Sequence, residues 1–265
     1  MSETAIFEID MQKLSAVVIT FNEEKKIAGC LDSLINIADE VVVVDSFSTD
    51  NTEAICRAYK VNFSQHKFDG HIEQKNYAIS LAKYDFILSL DADERLSDKL
   101  LSEIRKVKGN FSFDAYQMNR LTNYCGKFIR HSGWYPDSKI RLFNRRKCKW
   151  GGTNPHDKIV IEPDVKVSIL QGDILHFSYD SIQSHIKQMN SFTEIGAQQL
   201  FDKGKRAGIF DLTIRPFWKF FRDYIIKLGF LDGYYGYVVC MLSAVHIFSK
   251  YAKLKQMQLQ REKNK

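Results

Sequence analysis

Short apolar runs, each too short for a helix, recur through the first hundred residues. They cover Leu14 to Thr20, Val41 to Val44, Val61 to Ser64 and Asp85 to Leu90. β-Branched residues are frequent in the first two. Continuous runs of this length predict strands that are buried on both faces of a sheet.

Segments with helical spacing separate these runs. Residues 24–37 contain four apolar side chains at helical spacing: Ile27, Leu31, Leu34 and Ile35. Further helices are predicted through residues 54–59 and 72–82. Strands that alternate with helices of this length predict an α/β fold with a mostly parallel central sheet.

Polar side chains stand where three of the predicted strands end. Thr20-Phe21-Asn22-Glu23 follows the first strand, Asp45 ends the second, and Asp91-Ala92-Asp93 follows the last. Because the carboxyl ends of parallel strands share one edge, these side chains are expected to converge. Carboxylates at such an edge can bridge a divalent cation to a phosphate. The pattern indicates an enzyme that acts on a nucleotide diphosphate, although each acid can also be a turn residue or a helix cap.

Four segments in order resemble the motifs of one known family: Val-Ile-Thr-Phe-Asn-Glu, Val-Val-Val-Asp-Ser, Gln-Lys-Asn-Tyr-Ala and Asp-Ala-Asp-Glu. They are similar to glycosyltransferase family 2, which has the GT-A fold. More narrowly, residues 13–252 resemble the bacterial lipopolysaccharide or lipooligosaccharide core β-1,4-glucosyltransferase subgroup, including the segments Arg-Leu-Phe, His-(acid) and Gly-Phe-Leu-Asp-Gly. The resemblance implies a Rossmann-like, mostly parallel sheet flanked by helices, with a C-terminal helical extension that is aromatic and basic.

The resemblance also implies roles for individual residues. Nucleotide-sugar binding falls to Thr20, Asn22, Glu23, Asp45, Lys75, Asp91 and Arg141. Asp93 is expected to coordinate Mg²⁺ or Mn²⁺ directly, with His176 as a further ligand, because carboxylate and imidazole both suit Mn²⁺. Asp91 is expected to contact the ribose, or the metal through water. A structural role for His176 and a surface position for Lys75 stay open.

An inverting transferase needs a base that takes the proton of the acceptor hydroxyl. The candidate is Asp157, in the Gly/Pro-containing segment Trp150 to Asp157, which is predicted to be a loop at the lip of the site. Its His-Asp pair matches the His-acid pair of the family, where the subgroup more often has Glu. Asp137 is the alternative base, and either acid can be a turn residue. Glu94 either faces the sugar or acceptor, or begins the helix that runs through Leu100 to Ile104.

Length and composition agree with one enlarged catalytic domain. The chain has 265 residues, of which 45% are hydrophobic, and this is enough for a sizeable core. Its five cysteines are scattered without metal-ligand spacing, which indicates reduced thiols. The first twelve residues lack the basic and apolar stretches of a secretory signal, so a cytoplasmic location is expected.

Positive charge is concentrated in the C-terminal part. Residues 201–265 carry thirteen Lys or Arg against five Asp or Glu, whereas residues 1–200 carry twenty-five against twenty-seven. Basic residues there alternate with aromatic ones, and the apolar run Tyr237 to Phe248 is too short to cross a bilayer. The pattern predicts peripheral contact with the anionic cytoplasmic face of the inner membrane, and no nucleic-acid partner. A packed helical pair and a solvated charged face are the alternatives.

The sequence therefore predicts a GT-A domain over residues 13–180, a helical extension over 181–258 and tails at 1–12 and 259–265. The expected reaction moves a hexose, by resemblance glucose from UDP-glucose, to a saccharide or glycolipid acceptor in lipopolysaccharide or lipooligosaccharide core synthesis. A polyprenyl-phosphate or other cell-surface glycan transferase stays open, and so does a scaffold that has lost catalysis. A nucleotidyltransferase would carry a glycine-rich basic loop after the first strand, which this sequence lacks.

Overall fold

The computed structural model describes residues 12–154 and 156–263. These residues form two compact units. The first unit contains the described residues up to Arg120 together with Ser138–His176, and the second contains Leu121–Asp137 together with the described residues from Phe177 onward.

The described residues form eleven strands, most of them in the first unit. In chain order they are β1 (Leu14–Thr20), β2 (Glu40–Asp45), β3 (Asn62–Gln65), β4 (Phe86–Asp91), β5 (Glu94–Leu96), β6 (Ala115–Tyr124), β7 (Lys127–Phe128), β8 (Asp137–Asn144), β9 (Cys148–Thr153), β10 (His156–Ile161) and β11 (Val167–Tyr179). The central sheet has the order β3-β2-β1-β4-β8-β6-β11-β5, and β9 and β10 form a separate antiparallel hairpin. The division into units falls within β6, β8 and β11, which contribute residues to both.

Parallel pairing builds the half of the sheet that begins the chain. β1 pairs in parallel with both β2 and β4, and β2 pairs in parallel with β3. β8 then adds to β4 in the antiparallel sense, as β5 does to β11. Antiparallel strands thus extend the parallel half.

Helices cover both faces of the parallel half. The helices of the first unit are α1 (Ile27–Leu34), α2 (Thr52–Ala58), α3 (His71–Leu81) and α4 (Asp98–Val107). One core cluster joins α1, α2 and α4 to side chains such as Val18 of β1, and another joins α3 to Val17 of the same strand. Successive residues of a strand point to opposite faces, so both faces of β1 are buried and most of its residues are apolar.

The structure confirms the predicted fold class and corrects two local predictions. The segment Trp150 to Asp157 is not a loop, because it supplies six of the twelve paired residues of the β9–β10 hairpin. The prediction was wrong because Gly151 and Gly152 interrupt the apolar alternation that marks a strand. Glu94 lies in strand β5, and the following helix begins at Asp98 with Ser97 as its N-cap, whose Oγ accepts from Leu100 N–H at 3.3 Å.

The second unit is mainly helical. Its helices are α5 (Ile182–Asp202), α6 (Ile209–Leu212), α7 (Ile214–Phe221) and α8 (Gly233–Lys263), with a π-helical segment at Arg222–Ile226 and a 3₁₀ turn at Gly229–Asp232 between α7 and α8. Tyr124 and Val239 anchor one cluster of this unit, and Ala197 and Leu254 another. Helix α8 packs against α5 and α7.

The predicted boundary at residue 180 stays a prediction. Helix α8 continues through residues 259–263, which the sequence predicted as part of a tail. Residues 1–11 and 264–265 of the predicted tails lie outside the described residues. Within the described residues, no single helix has the length and apolar composition to cross a membrane, whereas the pair Ile209–Ile226 and Gly229–Lys263, bent by 72°, meets that criterion jointly.

Candidate active site

The carboxyl ends of β1, β2 and β4 lie side by side. Thr20 pairs with Asp45, and Ile19 pairs with Asp91. The chain leaves all three strands at the same edge because the strands run in parallel. This edge is where the sequence analysis expects the nucleotide site.

Hydrogen bonds join the loop after β1 to the loop after β2. Asn22 N–H donates to Ser48 Oγ and Thr49 N–H donates to Asn22 Oδ1, both at 2.8 Å. Asp45 is fully buried and accepts from the main-chain N–H of Ser48 (2.8 Å) and from its hydroxyl. Asn22 has a φ of 54°, a backbone conformation that Asn adopts more readily than most residues. The side chains of Asn22 and Asp45 therefore shape these loops.

Thr20 and Glu23 lie at the same edge of the sheet, at and after the end of β1. We call Thr20, Asn22, Glu23 and Asp45 together the rim of the site. Glu23 N–H donates to Thr52 Oγ1 at 2.8 Å, and the Glu23 carboxylate lies 3.8 Å from Lys26 Nζ. Thr20 Oγ1 is buried and makes no hydrogen bond within the described residues. A buried hydroxyl without a partner is costly, so Thr20 is the group on this rim with capacity to bind a ligand.

Lys75 of helix α3 is a buried ammonium group held between two carboxylates. Its Nζ donates to Asp157 Oδ2 at 2.8 Å and lies 3.0 Å from Asp91 Oδ1. The Lys75 side chain is only 5% exposed, so the surface position left open by the sequence is wrong. Lys75 thus brings together Asp91, at the end of a predicted strand, and Asp157, which the sequence placed in a loop.

Arg141 of β8 makes a second cationic contact with the same centre. Its Nη2 donates to Asp91 Oδ2 (3.2 Å) and to Glu94 Oε1 (2.9 Å). Glu94 is fully buried, accepts from Asp91 N–H (3.0 Å) and lies 3.6 Å from Arg120 Nη1. Glu94 therefore neither begins a helix nor reaches open solvent, and its contacts orient Arg141.

These contacts fix the charge of Asp91 and Arg141. Burial acts to raise the pKa of Asp91, but the charges of Lys75 and Arg141 outweigh it and hold that pKa far below its usual range. Burial acts to lower the pKa of Arg141, and the charges of Glu94 and Asp91 more than reverse this. Both groups are ionised throughout the physiological pH range.

Trp150 of β9 lies beneath the two cations. Lys75 Nζ is 4.2 Å and Arg141 Cζ is 5.1 Å from the centroid of its ring. Its indole N–H donates to Ser89 Oγ at 3.3 Å, and the residue is almost fully buried. The negative face of the indole therefore stabilises positive charge in a site with little water.

Two asparagines fasten helix α3 to the β9–β10 hairpin. The amide of Asn76 donates to Trp150 O (3.0 Å) and accepts from Trp150 N–H (3.1 Å). Asn154 accepts from Ile72 N–H (3.2 Å) and donates to the Glu73 carboxylate (2.9 Å). Asp157 pairs with Gly152 in the hairpin ladder. The helix that carries Lys75 and the hairpin that carries Asp157 are therefore joined at several points.

A cavity of about 560 Å³ opens over this centre. Its walls include Asp91, Asp157, Lys75, Arg141 and Trp150. Gln117, Arg120, Ser138, Lys139, Ile140, Lys158 and Ile159 complete the lining. The cavity thus combines two carboxylates with several cations and suits a ligand with a charged part and a polar part.

Asp93 and His176, the two predicted metal ligands, lie next to each other. His176 Nε2 is 3.2 Å from Asp93 Oδ2, and both side chains are partly accessible. His176 Nδ1 is buried and makes no hydrogen bond within the described residues. A carboxylate and an imidazole at this separation can bind one Mn²⁺, so the two residues fit the predicted cofactor.

Within the described residues, no third His, Cys, Asp or Glu joins this pair in a metal-binding group. A cation held by so few protein ligands takes its remaining ligands from substrate phosphates and water. The pair alone therefore leaves room for a diphosphate to complete the site.

Some residues of the centre cannot be predicted from the sequence pattern. Trp150 and Arg120 have no predicted role, and nothing in the apolar pattern distinguishes Trp150 from an ordinary core residue. A signal for Trp150 was its place in the same segment as Asp157. Asp137, the alternative base, lies at the start of β8 and belongs to the second unit.

Comparison with known proteins identifies the family of the chain. The model of glycosyl transferase family 2 matches residues 15–161. An uncharacterized glycosyltransferase of Rickettsia typhi is 33% identical over 260 residues, which cover 94% of this chain and 89% of the relative. The lipopolysaccharide core biosynthesis glycosyltransferase LpsC of Rhizobium meliloti is 29% identical over 251 residues, which cover 92% of each chain.

Among solved structures, a fragment of S. aureus TarS in complex with UDP aligns with a TM-score of 0.47 at 16% identity, covering 94% of this chain and 92% of that one. The family match spans more than half of the sequence, and the Rickettsia typhi relative is similar along nearly all of it. The predicted family is therefore confirmed, and the chain belongs to glycosyl transferase family 2.

Proposed function

We propose that this transferase moves a hexose, with inversion, from a nucleotide sugar to a saccharide acceptor of the lipopolysaccharide or lipooligosaccharide core. Glucose from UDP-glucose is the favoured donor, on the resemblance of the chain to core glucosyltransferases. Membership of the family supports glycosyl transfer. The name of the Rhizobium meliloti relative supports the core acceptor. The observation that carries the proposal is the cavity in which Asp157, Lys75, Asp91 and Arg141 meet.

The proposed reaction breaks the anomeric C–O bond of the donor and forms one to an acceptor hydroxyl. Asp157 takes the proton of that hydroxyl as the new bond forms. Negative charge develops on the leaving nucleoside diphosphate, and Arg141 is a planar cation suited to phosphate oxygens. Carboxylate and cation thus lie on the walls of one cavity, as the reaction requires.

Lys75 connects the two parts of the proposed reaction, which are deprotonation of the acceptor and stabilisation of the leaving diphosphate. In the free protein its ammonium group donates to the proposed base at 2.8 Å and so occupies one carboxylate oxygen of Asp157. A diphosphate in the cavity would compete for the same ammonium group. We infer that donor binding draws Lys75 away from Asp157 and leaves that oxygen free to accept a hydrogen bond from the acceptor hydroxyl.

The remaining proposed contacts concern the nucleotide and the cation. Thr20, Asn22, Glu23 and Asp45 form the rim that would surround the base and ribose, with the Thr20 hydroxyl as a direct partner. Asp93 and His176 would hold Mg²⁺ or Mn²⁺. When bound, the cation would neutralise charge on the diphosphate.

A second acceptor class is a polyprenyl phosphate. The basic and aromatic C-terminal part favours it, because that composition suits a lipid-linked acceptor as well as a core saccharide. In either case we propose that the enzyme works at the cytoplasmic face of the inner membrane, in peripheral contact with its anionic lipids.

Calorimetric titration tests the donor. Nucleoside diphosphates and nucleotide sugars are titrated with and without Mn²⁺ into the wild type, Asp93→Ala and Asp157→Asn. We expect UDP and UDP-glucose to bind only with Mn²⁺, to lose that binding in Asp93→Ala, and to keep it in Asp157→Asn. The same Asp157→Asn protein should transfer sugar at least ~10²-fold more slowly, as is typical when a general base is lost.

Two results would contradict the proposal. Absence of binding to every nucleotide in the panel would exclude the donor site and favour a non-catalytic scaffold. Full turnover by Asp157→Asn would show that Asp157 is not the base. Release of UDP with transfer to a polyprenyl phosphate rather than to a core saccharide would assign the second acceptor class.

A further inference from the structure

The second unit exposes two rows of large apolar side chains. The first row lies on α6, α7 and the π-helical segment, and the second lies on the outer side of α8. The members are Phe210, Ile214, Phe217, Phe221 and Ile225 in the first row, and Tyr234, Tyr237, Met241, Val245 and Phe248 in the second. In each row the residues are three or four positions apart, which places them along one face of a helix. We call the two rows together the apolar surface.

The exposure of this surface is high for side chains of this size. Phe217 is 68% exposed, Trp218 beside it 51%, and Tyr234 68%. The connection between α7 and α8 adds Ile226 and Leu231, which are more than half exposed. Soluble proteins rarely leave so many large apolar side chains uncovered, and such surfaces mark sites of interaction.

The helices that carry the apolar surface are nevertheless packed on their other sides. Tyr237, at the edge of the second row, also packs towards α7 and the π-helical segment: its ring centroid is 5.9 Å from that of Phe220 and 5.8 Å from that of Tyr224. Val239, Cys240 and Ala244, on the inner side of α8, are buried. The inward side chains of these helices already form the core of the unit. The outward side chains are therefore additional to that core.

Basic residues accompany the apolar surface. Residues 201–231 contain seven Lys or Arg and three Asp or Glu. Two of the acids are bound within the unit: Asp223 is buried against Lys219 (2.7 Å) and Arg222 (2.9 Å), and Asp211 binds Arg215 (2.5 Å). Three basic residues just before α6 are exposed: Lys203, Lys205 and Arg206. The surroundings of the surface are therefore positively charged.

We propose that the apolar surface binds the interface of an anionic lipid bilayer. Apolar and aromatic side chains would enter the region between headgroups and acyl chains, while the neighbouring basic groups bind lipid phosphates. Tyr and Trp suit this boundary because each has an apolar ring and a polar group. Charge complementarity selects a lipid surface over a second copy of this chain, whose corresponding surface would be equally positive.

The geometry favours lying on the bilayer over crossing it. Helix α7 has eight residues, which corresponds to about 12 Å, whereas the hydrocarbon core is about 30 Å thick. The inner side of α8 is buried in protein. The 72° bend between the two helical segments places two short apolar rows at an angle, rather than one long continuous row.

This inference identifies the surface through which the transferase would contact the membrane. It rests on the proposed function only for the location of the enzyme at the membrane. Lipid binding is measured without donor or acceptor, so its outcome is separate from that of the activity assays. A wild-type protein that binds UDP but no lipid would contradict this inference alone. One that binds lipid but no nucleotide would contradict the proposed function alone.

The test is flotation of the full chain with vesicles of phosphatidylcholine alone or with 30% phosphatidylglycerol. We expect at least about tenfold stronger binding to the anionic vesicles, and weaker binding in high salt. Phe217→Ser combined with Trp218→Ser should weaken it at least about tenfold. Lys205→Glu combined with Arg206→Glu should weaken it to a similar extent, since each basic residue near the membrane surface contributes about fivefold.

Matched controls separate the surface from general effects. Phe192→Ser removes an aromatic side chain that is 44% exposed on α5, and Lys67→Glu reverses an exposed charge in the first unit; both should bind vesicles like the wild type. Circular dichroism verifies the fold of each variant. If the aromatic double variant fails to fold, the charge variant decides, because its two residues are exposed.

Three results would overturn the inference. They are equal binding to both kinds of vesicle, wild-type binding by the correctly folded charge variant, and absence of binding to either vesicle. If the wild type does not bind vesicles and sedimentation shows a dimer that the aromatic variant dissociates, the surface is an interface between two copies of the chain.

Discussion

Lys75 is a cation in a place where a lysine is rarely found. Its side chain is 5% exposed, yet it contacts two carboxylates and the face of an indole ring. A buried ammonium group is tolerated only when such partners replace the water it has lost. The residue therefore has both a structural and a proposed catalytic role, and the two can be separated by their dependence on pH.

Lys75→Met is expected to lower the free energy of unfolding by about 2 kcal/mol at pH 7. Removal of one member of a buried ion pair costs up to about 3–5 kcal/mol, and Arg141 still compensates Asp91. The depressed pKa of Asp91 stabilises the wild type above the unfolded-state pKa of about 3.9, and this stabilisation declines as the pH falls below that value. The difference in free energy of unfolding between wild type and variant should therefore become smaller below pH 4.

Urea unfolding at pH 7 and at pH 3 measures this difference. The control is Lys106→Met, which removes an exposed ion pair with Glu103 and should leave the free energy of unfolding nearly unchanged. A difference for Lys75→Met that stays constant with pH would mean that Lys75 stabilises the fold through packing on Trp150 and not through its charge.

At the scale of elements, the parallel half of the sheet could be predicted because its information is local. β1 begins and ends at the predicted residues, and β2, β4 and α3 differ from prediction by one residue or two. The apolar run and the polar residue after it are sufficient, since a strand buried on both faces is mostly apolar along its length.

The charged centre around Lys75 could be predicted only in part, because it depends on contacts between residues that are far apart in the sequence. Asp91 and Asp157 were both identified as candidates, but their shared contact with Lys75 joins residues 16 and 82 positions apart. Asn76 holds Trp150 only because Trp150 lies in the β9–β10 hairpin. The hairpin was not predicted, because its two glycines interrupt the apolar alternation. Local patterns identify which residues are polar, but they do not reveal which of them meet.

The junction between the 3₁₀ turn and α8 depends on a glycine. A Cβ on Gly236 would lie 2.0 Å from Gly229 O and 2.8 Å from the Asp232 Cβ. Asp232 in turn accepts from the main-chain N–H groups of Arg130 (3.2 Å) and His131 (2.8 Å). The Gly-Phe-Leu-Asp-Gly segment noted in the sequence therefore has a structural function in the second unit.

Gly236→Ala is expected to destabilise the protein by about 2–4 kcal/mol, because the clash is with main chain that cannot move independently. The control is Gly196→Ala in α5, where a Cβ would meet only the flexible side chain of Lys250 at 3.1 Å. Alanine is the better helix former, so this control should be neutral or stabilising by up to about 1 kcal/mol. Thermal and urea unfolding measure both, and equal effects of the two substitutions would contradict the proposed close contact.

At the scale of the whole molecule, one buried histidine links stability to acidity. His185 Nδ1 is 3.0 Å from the hydroxyl of Tyr124 in the second unit. Burial, with a smaller effect from His246, lowers the pKa of His185 from 6.5 to about 4. The folded protein thus keeps His185 neutral where the unfolded chain binds a proton, so stability is greatest above pH 6.5 and falls as the pH decreases from 6.5 towards 4.

His185→Gln removes this titration while retaining a group that can bind Tyr124. Between pH 7 and pH 5 the free energy of unfolding of the wild type should fall by about 1–2 kcal/mol more than that of the variant. Urea unfolding at the two pH values provides the measurement. An equal fall in both proteins would mean that His185 titrates normally in the folded state.

The asparagine bonds between α3 and the β9–β10 hairpin also determine how substrates can enter. A swing of the hairpin away from α3 would break the bonds of Asn76 and Asn154, at a net cost of about 1 kcal/mol for each of at least three hydrogen bonds. Fewer than about 1% of molecules would then have the hairpin open at any moment. The hairpin is therefore a fixed wall and not a lid. A donor complex should keep its backbone in place, with the side chain of Lys75 as the part that moves.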